Sequence, residues 1–141
     1  MTILIRTFRF PDDYAGCTYV WHNSQPGVTF NVSDEPAEII KRLAYSPDLV
    51  LVAEEDGKII GTVMGGYDGR RGMIYHLAVL AEYRKHGTGT ALLREVEQRL
   101  KALGCRKAYL MVAPENTAII PFYQGEGWQQ HQAILMAKEF E

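Results

Sequence analysis

The densest run of residues suited to chemistry lies where a predicted strand gives way to a predicted helix. The segment Arg84-Lys85-His86-Gly87-Thr88-Gly89 places cationic side chains just before and beside two glycines. Glycine lets a backbone approach a ligand closely, and a helix start adds unpaired N–H groups and the positive end of the helix dipole. The pattern therefore predicts an anion site, most simply for a phosphate or pyrophosphate.

Two familiar phosphate-binding motifs do not match this segment. A P-loop needs Lys followed by Ser or Thr after its last glycine, and no such pair follows Gly87 or Gly89. A dinucleotide fingerprint needs Gly or Ala three residues after Gly89, where Leu92 stands. From these residues alone, a tight strand-to-helix turn that uses glycine only for its geometry is the alternative.

The elements that must position this segment begin with an extended segment over residues 3–8 and two helices, one after Asp12-Asp13 and one capped by Ser33 or Asp34. Strands are predicted over residues 49–53 and 59–64, joined by a hairpin turn at Asp56-Gly57. A third strand over residues 73–79 completes an antiparallel meander.

The second half of the chain begins with the clearest helix, over residues 89–103, closed by Gly104. Its apolar stripe is Leu92, Val96, Leu100 and Leu103, and Glu95/Arg99 and Glu97/Lys101 are spaced to pair on its wet face. A strand buried on both faces follows at 108–112. Asn116 caps a short helix to about residue 125, and Gly127-Trp128 opens a final strand pair ending near 138. The order predicts a mixed α/β fold.

Two spaced motifs give this sequence a family resemblance. Arg84-x-x-Gly87-x-Gly89 resembles the acetyl-CoA motif of the GNAT N-acetyltransferases, and Asn116-x6-Tyr123-x3-Gly127-Trp128 resembles the second motif of that family. Residues 52–61 are similar to its second and third strands, and residues 61–69 to a small bacterial subgroup, the YpeA-type proteins. The likeness covers residues 49–130 well and the first 48 loosely.

The resemblance implies a fold and a co-substrate. We expect one GNAT-like domain over residues 1–141, of the α/β (α+β) class. Its mixed, mostly antiparallel sheet would splay between strands four and five and carry about four flanking helices. The pantetheine arm of acetyl-CoA would lie in that gap like an added strand, and an amide near Val79 would polarise the thioester carbonyl. The residues implied to bind acetyl-CoA are Leu77, Ala78, Val79, Arg84, Lys85, His86, Gly87, Thr88, Gly89, Thr90, Asn116 and Tyr123.

The implied reaction needs an acid and a base. Tyr123 stands where the family places the tyrosine that protonates the leaving thiolate; packing is the alternative role for this side chain. For the base or a water relay, Tyr75 is the first candidate. His76 is expected on the opposite face of the strand, in the core, and Glu54 and Glu55 are expected as solvated charges at a hairpin. The base stays open.

The acceptor is not readable from the sequence, although its pocket is expected between the early helices and strands three and four. Its plausible lining is His22 to Asn31, Tyr67-Asp68 and Arg70-Arg71, each of which could equally be surface loop. An N-acetyltransferase acting on a primary amine by direct attack is the first interpretation. A non-catalytic acyl-CoA-binding module is the second, and a generic phosphate-binding domain the third.

Composition excludes several other classes. The chain has 141 residues, 47% hydrophobic and 23% charged, which does not suit disorder, collagen or a coiled coil. A net charge of −2 gives no electrostatic case for nucleic acid or an anionic membrane. The longest apolar run, residues 108–113, is far below the ~18 residues of a membrane span. Cys17 and Cys105 suit reduced thiols, with no metal expected. We expect a cytoplasmic monomer or homodimer.

Overall fold

The computed structural model describes residues 2–140, which form one five-stranded sheet with four α-helices around it. The strands are β1 (Ile3–Thr7), β2 (Val50–Glu55), β3 (Lys58–Tyr67), β4 (Gly72–Val79) and β5 (Ala108–Leu110). The helices are α1 (Tyr14–His22), α2 (Pro36–Tyr45), α3 (Thr88–Ala102) and α4 (Ile120–Gly125). Strand order follows the chain, antiparallel from β1 to β4 and parallel between β4 and β5. The predicted mixed, mostly antiparallel α/β sheet is confirmed.

The sheet is covered on both faces, and its central strands are buried for that reason. Successive side chains of β2 point to opposite faces, so Val52 packs with Trp21 of α1 while Leu51 packs with Leu92 of α3. A strand covered on both faces buries apolar side chains on each of them and has no solvent-exposed face. The Asp56-Gly57 turn has positive φ at both residues (50° and 78°), as the hairpin signal predicts.

β4 and β5 pair over a short distance and then part. Their ladder joins Gly72, Met73 and Ile74 to residues 108–110, and the rest of β4 has no strand partner on that side among the described residues. The predicted splay is confirmed. It leaves an edge of β4 whose backbone groups are open to an extended ligand.

β4 also bulges against β3 on its other side. Val63 of β3 stands opposite two β4 residues, His76 and Leu77, and His76 takes a positive φ of 54°. The hydroxyl of Thr62 donates to the carbonyl of His76 at 2.8 Å, and the indole N–H of Trp21 donates to that hydroxyl at 3.0 Å. Buried hydrogen bonds therefore hold the bulge.

The prediction of a final strand pair after Gly127 is wrong for the described residues. No strand follows β5, and Ile134 and Met136 are 92% and 88% exposed. β5 is three residues long and offers little edge, and the apolar run at 133–137 lacks the alternation of a half-buried strand. β5 itself is not buried on both faces, because Tyr109 is partly exposed and only β4 pairs with it.

Helix boundaries and caps also differ in places. α3 begins one residue before the predicted start, and Leu103 lies past its end, 56% exposed. Glu95 pairs with Arg99 as expected, but Glu97 accepts a hydrogen bond from Trp128 instead of pairing with Lys101.

Asp34 and Asn116 do not cap the helices predicted for them. Asp34 ends a 3₁₀ turn (Val32–Asp34) capped by Asn31, and α2 follows after Glu35. Asn116 lies inside a second 3₁₀ segment, Pro114–Ile119, ahead of α4. In both places a 3₁₀ turn precedes the helix, so the predicted capping residue lies inside that turn and not at the helix start.

An ion network ties β1 to the start of α1. The guanidinium of Arg6 donates to both carboxylate oxygens of Asp13, at 2.7 and 2.9 Å, and to Glu54 at 2.9 Å. Burial disfavours ionisation of Asp13, but hydrogen bonds from Arg6 and from the Arg9 amide outweigh it and lower the pKa of Asp13.

We predict that Asp13→Ala lowers the free energy of unfolding by about 3 kcal/mol, because Arg6 loses its buried partner. Since the pKa of Asp13 is lowered by folding, this contribution is full above about pH 4 and declines as pH falls through the lowered pKa. Urea denaturation of both proteins at several pH values measures it.

Glu38→Ala is the matched control, since it removes an exposed pair with Lys41 and is expected to cost under about 1 kcal/mol. A loss for Asp13→Ala no larger than that of the control would contradict the assignment.

Candidate functional site

The open edge of β4 ends beside the predicted anion site. The amide of Leu80 donates to Ile60 of β3 at 2.8 Å, so by alternation the backbone groups of Val79 face away from β3, into the gap. Its carbonyl accepts a hydrogen bond from Arg84 Nε at 2.8 Å. The same alternation turns Ala78 towards β3, so Leu77 and Val79, not Ala78, present backbone groups to the gap.

The turn from β4 into α3 exposes backbone amides. Lys85 and Gly87 both have positive φ, 68° and 83°. The first helical hydrogen bond of α3 runs from the amide of Ala91 to Gly87 at 3.0 Å, which leaves the amides of Thr88 to Thr90 without a helical acceptor. The side chains of Arg84, Lys85 and His86 are exposed around this turn.

Two details at the start of α3 fit an anionic ligand. Thr88 is buried, and its hydroxyl has no hydrogen-bond partner among the described residues. A Cβ on Gly89 would meet only ordinary contacts, 3.7 Å from the Phe122 ring and 3.9 Å from Val79, so packing does not demand a glycine there. An oxyanion close to the backbone would explain both the bare glycine and the unpaired hydroxyl.

Tyr123 lies on α4, which docks against the start of α3. Its ring packs edge-on to Phe122 and Trp128, with centroids 5.2 and 6.4 Å away, in the core layer that also holds Val79. Burial raises the pKa of Tyr123 to about 12. The phenol therefore keeps its proton at neutral pH.

Asn116 reaches towards a different part of the site. A Cβ on Gly27 would stand 3.2 Å from Nδ2 of Asn116, so the amide side chain rests against the loop between α1 and the first 3₁₀ turn. In this position the Asn116 side chain contacts the loop at Gly27.

A cavity of about 880 Å³ lies between α2, the 3₁₀ turn 32–34, the C-terminal end of β3 and β4. Both Tyr75 and His76 line it, because the bulge breaks the alternation that would send His76 into the core. Of the predicted acceptor lining, Asn31, Tyr67, Asp68 and Arg71 lie here, whereas residues 22–30 and Arg70 do not.

His76 forms a carboxylate–imidazole pair in this cavity. Its Nε2 lies 2.9 Å from Oδ1 of Asp34, a residue only 3% exposed. The second carboxylate oxygen accepts from the amide of Asn31 at 3.2 Å, and the hydroxyl of Tyr14 donates to the Asp34 carbonyl at 2.8 Å. A carboxylate only accepts, so Nε2 carries a hydrogen, and in the neutral imidazole Nδ1 is the nitrogen with the lone pair.

Sequence reasoning missed Asp34 as a functional residue. The spacing of Asn31 and Asp34 is typical of a capping box, which locates a turn but gives no sign of a contact 42 positions away. The other carboxylate candidates lie elsewhere, with Glu54 bound to Arg6 and Glu55 ending β2 at the hairpin.

Two kinds of feature are absent from residues 2–140. No group of three or more His, Cys, Asp or Glu side chains in that range is arranged to hold a metal ion. None of the helices described there is both long enough and apolar enough to cross a membrane.

Comparison with known protein sequences finds one matching family model. Residues 16–128 match the model described as the acetyltransferase (GNAT) family. A Pectobacterium atrosepticum protein named as an acetyltransferase is 39% identical over 134 residues, covering 95% of this chain and 93% of that protein. A Yersinia pestis protein named as an N-acetyltransferase is 37% identical with the same coverage.

Solved structures share the fold. The PaiA N-acetyltransferase from Thermoplasma acidophilum, solved with coenzyme A, superposes with a TM-score of 0.82 at 20% identity, covering 95% of this chain and 94% of that one. Glucosamine-6-phosphate N-acetyltransferase from Arabidopsis thaliana gives 0.70 at 28% identity, covering all of both chains.

Proposed function

The chain belongs to the acetyltransferase (GNAT) family, and on that premise we propose that it is an N-acetyltransferase that moves the acetyl group of acetyl-CoA to a primary amine by direct attack. The names of the Yersinia relative and of both structural neighbours support transfer to nitrogen. One observation carries the proposal. The open edge of β4 ends beside the free amides at the start of α3, and Tyr75 and His76 of the same strand line the cavity.

The coenzyme site in this proposal follows the free backbone groups. The pantetheine arm adds to β4 at Leu77 and at the amide of Val79, as a strand adds to a sheet edge, while the Val79 carbonyl stays bonded to Arg84. The pyrophosphate takes the amides of residues 85–90 and the cationic side chains of the turn. Thr88 supplies its unpaired hydroxyl, and Gly89 leaves the backbone accessible.

The proton movements in this proposal use two residues at opposite sides of the reacting carbon. The amine nitrogen bonds to the acetyl carbon while the carbon–sulfur bond breaks. Nδ1 of His76 takes the proton that the ammonium must lose before it can attack. Tyr123 gives its proton to the departing thiolate, and the second proton, which the acylated nitrogen sheds, restores the phenol. We assign the base to His76 instead of Tyr75, because an imidazole accepts a proton near neutral pH, whereas a phenol must first lose its own. Presenting a lysine-like amine in neutral form at pH 7 costs about 4–5 kcal/mol, which the base must help to supply.

We predict that Tyr123→Phe lowers the rate of acetyl transfer by about 10²–10⁴-fold while leaving coenzyme A affinity near that of the unmodified protein, because only the proton is lost. Release of free thiol from acetyl-CoA with a panel of amines measures the rate. Tyr19→Phe, on the exposed face of α1, is the matched control and is expected to change nothing. An undiminished rate in Tyr123→Phe would remove this phenol from the reaction.

We predict that His76→Gln lowers the rate about 10²–10³-fold with an alkylamine acceptor, since the ammonium proton then has no acceptor at the site. An alkoxyamine, which is already neutral at pH 7, is expected to lose far less, because it needs no base. The ratio of the two rates, measured in both proteins, tests the role. Equal losses for both acceptors would show that His76 acts through structure alone.

We predict that Gly89→Val weakens coenzyme A binding at least about tenfold, because its side chain enters the space beside the free amides. Isothermal calorimetry measures the dissociation constant, and thermal unfolding checks that the fold is kept. Ala91→Val, on an exposed position of the same helix just past the free amides, is the matched control. Unchanged affinity in Gly89→Val would place the diphosphate elsewhere. Tight coenzyme binding without thiol release for any amine would instead favour a binding module.

A further inference from the structure

We propose that the acceptor is a small amine that also carries an oxyanion, a carboxylate or a phosphate, and that Arg42 of α2 binds this group. The inference rests on the proposed function for the amine, but the anion site stands on the cavity itself. Arg42 lines the same cavity as Tyr75 and His76.

The acidic side chains of the cavity are already engaged by other groups. Asp34 is held by His76 and by the Asn31 amide. Glu38 pairs with Lys41 at 2.8 Å. Asp68 accepts hydrogen bonds from the backbone amides of the turn that follows it, at 2.7 and 2.8 Å, and these lower its pKa. None of these carboxylates forms an ion pair with Arg42 among residues 2–140.

Arg42 takes part in none of these contacts. Its Nη2 is buried and has no hydrogen-bond partner among residues 2–140. A guanidinium is always charged and has only donors, and a buried unpaired donor costs about 1–3 kcal/mol, more when charged. Evolution tolerates such a cost where a ligand supplies the missing acceptor. The ligand group that fits is an anion.

A second donor converges on the same place. A Cβ built on Gly66 would stand 3.5 Å from the hydroxyl of Tyr75 and 3.7 Å from Nη2 of Arg42, so both atoms border the space above this glycine. Carboxylate and phosphate oxygens accept from several donors at once, and such charged hydrogen bonds are the strong ones. Because Nη2 is shielded from solvent as the side chains stand, binding includes a rotamer change of Arg42 or Tyr75.

The two ends of this site define the acceptor. The rings of Tyr75 and His76 lie 6.0 Å apart on adjacent residues of β4. An amine near His76 would thus lie a few bonds from an oxyanion held by Arg42 and Tyr75. Amino acids and phosphorylated amines have this arrangement, whereas polyamines and simple alkylamines do not.

The test compares acceptors in pairs that differ only by the anion. An amino acid is set against its carboxamide, and phosphoethanolamine against ethanolamine, with kcat/KM measured by thiol release. In the unmodified protein the anionic member is expected to be favoured about 10–100-fold, the value of a charged hydrogen bond. Arg42→Met is expected to bring this ratio to about 1. Lys41→Met, an exposed neighbour paired with Glu38, is expected to keep it.

Two further arms keep the result decisive. Gly66→Ala places a methyl group between the two donors and is expected to lower the ratio by raising KM for the anionic acceptor. Calorimetry with anions that lack an amine, propionate and ethyl phosphate, reads the site without turnover and shows which anion it takes. If the unmodified protein binds an anion, Arg42→Met does not, and no amine releases thiol, the acetyltransferase reaction would be refuted while the anion site at Arg42 would be supported. Wild-type ratios near 1 with no binding of either anion would overturn the inference.

Discussion

The bulge in β4 is the constraint on which the functional geometry depends. A regular strand would send Tyr75 and His76 to opposite faces of the sheet, and only one of them could reach the cavity. The extra residue opposite Val63 and the positive φ of His76 bring both to the same side. Such a backbone costs free energy unless its surroundings hold it, and the buried hydrogen bonds from Trp21 through Thr62 to the His76 carbonyl do so. The imidazole then meets Asp34, on a turn far away in sequence.

The two faces of the sheet carry different parts of the site. On one side α3 packs on the core layer of Leu92 and Val96, and its first turn offers free amides beside the open edge of β4. On the other, α2 and the 3₁₀ turn 32–34 enclose the cavity. β4 contributes to both regions. It pairs with β5 only up to Ile74, so its later residues border the gap, while Tyr75 and His76 line the cavity. A ligand lying in the gap can therefore meet a second ligand from the cavity at residues that one strand supplies.

Local patterns made much of this architecture predictable. The Asp56-Gly57 turn and the apolar stripe of α3 each depend on neighbouring residues. The observed backbone has that turn, and Leu92, Val96 and Leu100 of the predicted stripe are buried, although Leu103 lies past the helix. Predictions failed where residues distant in sequence determine the local backbone or a side-chain contact. The bulge at His76 depends on Thr62 and Trp21. The contact of Asp34 with His76 joins residues 42 positions apart, and the absence of a partner for Nη2 of Arg42 among residues 2–140 is likewise a property of the packed structure. The missing terminal strand shows that apolar residues without alternation and without a long partner edge do not specify a strand.

The central claim is that coenzyme A lies in the gap beside β4, with its diphosphate on the amides at the start of α3 and its sulfur facing Tyr123. A crystal structure of the complex with coenzyme A tests this most directly. The account predicts diphosphate oxygens within about 3.2 Å of the amides of residues 85–90, and the phenol of Tyr123 within about 3.5 Å of the sulfur. A diphosphate bound elsewhere, or a sulfur remote from that phenol, would contradict it.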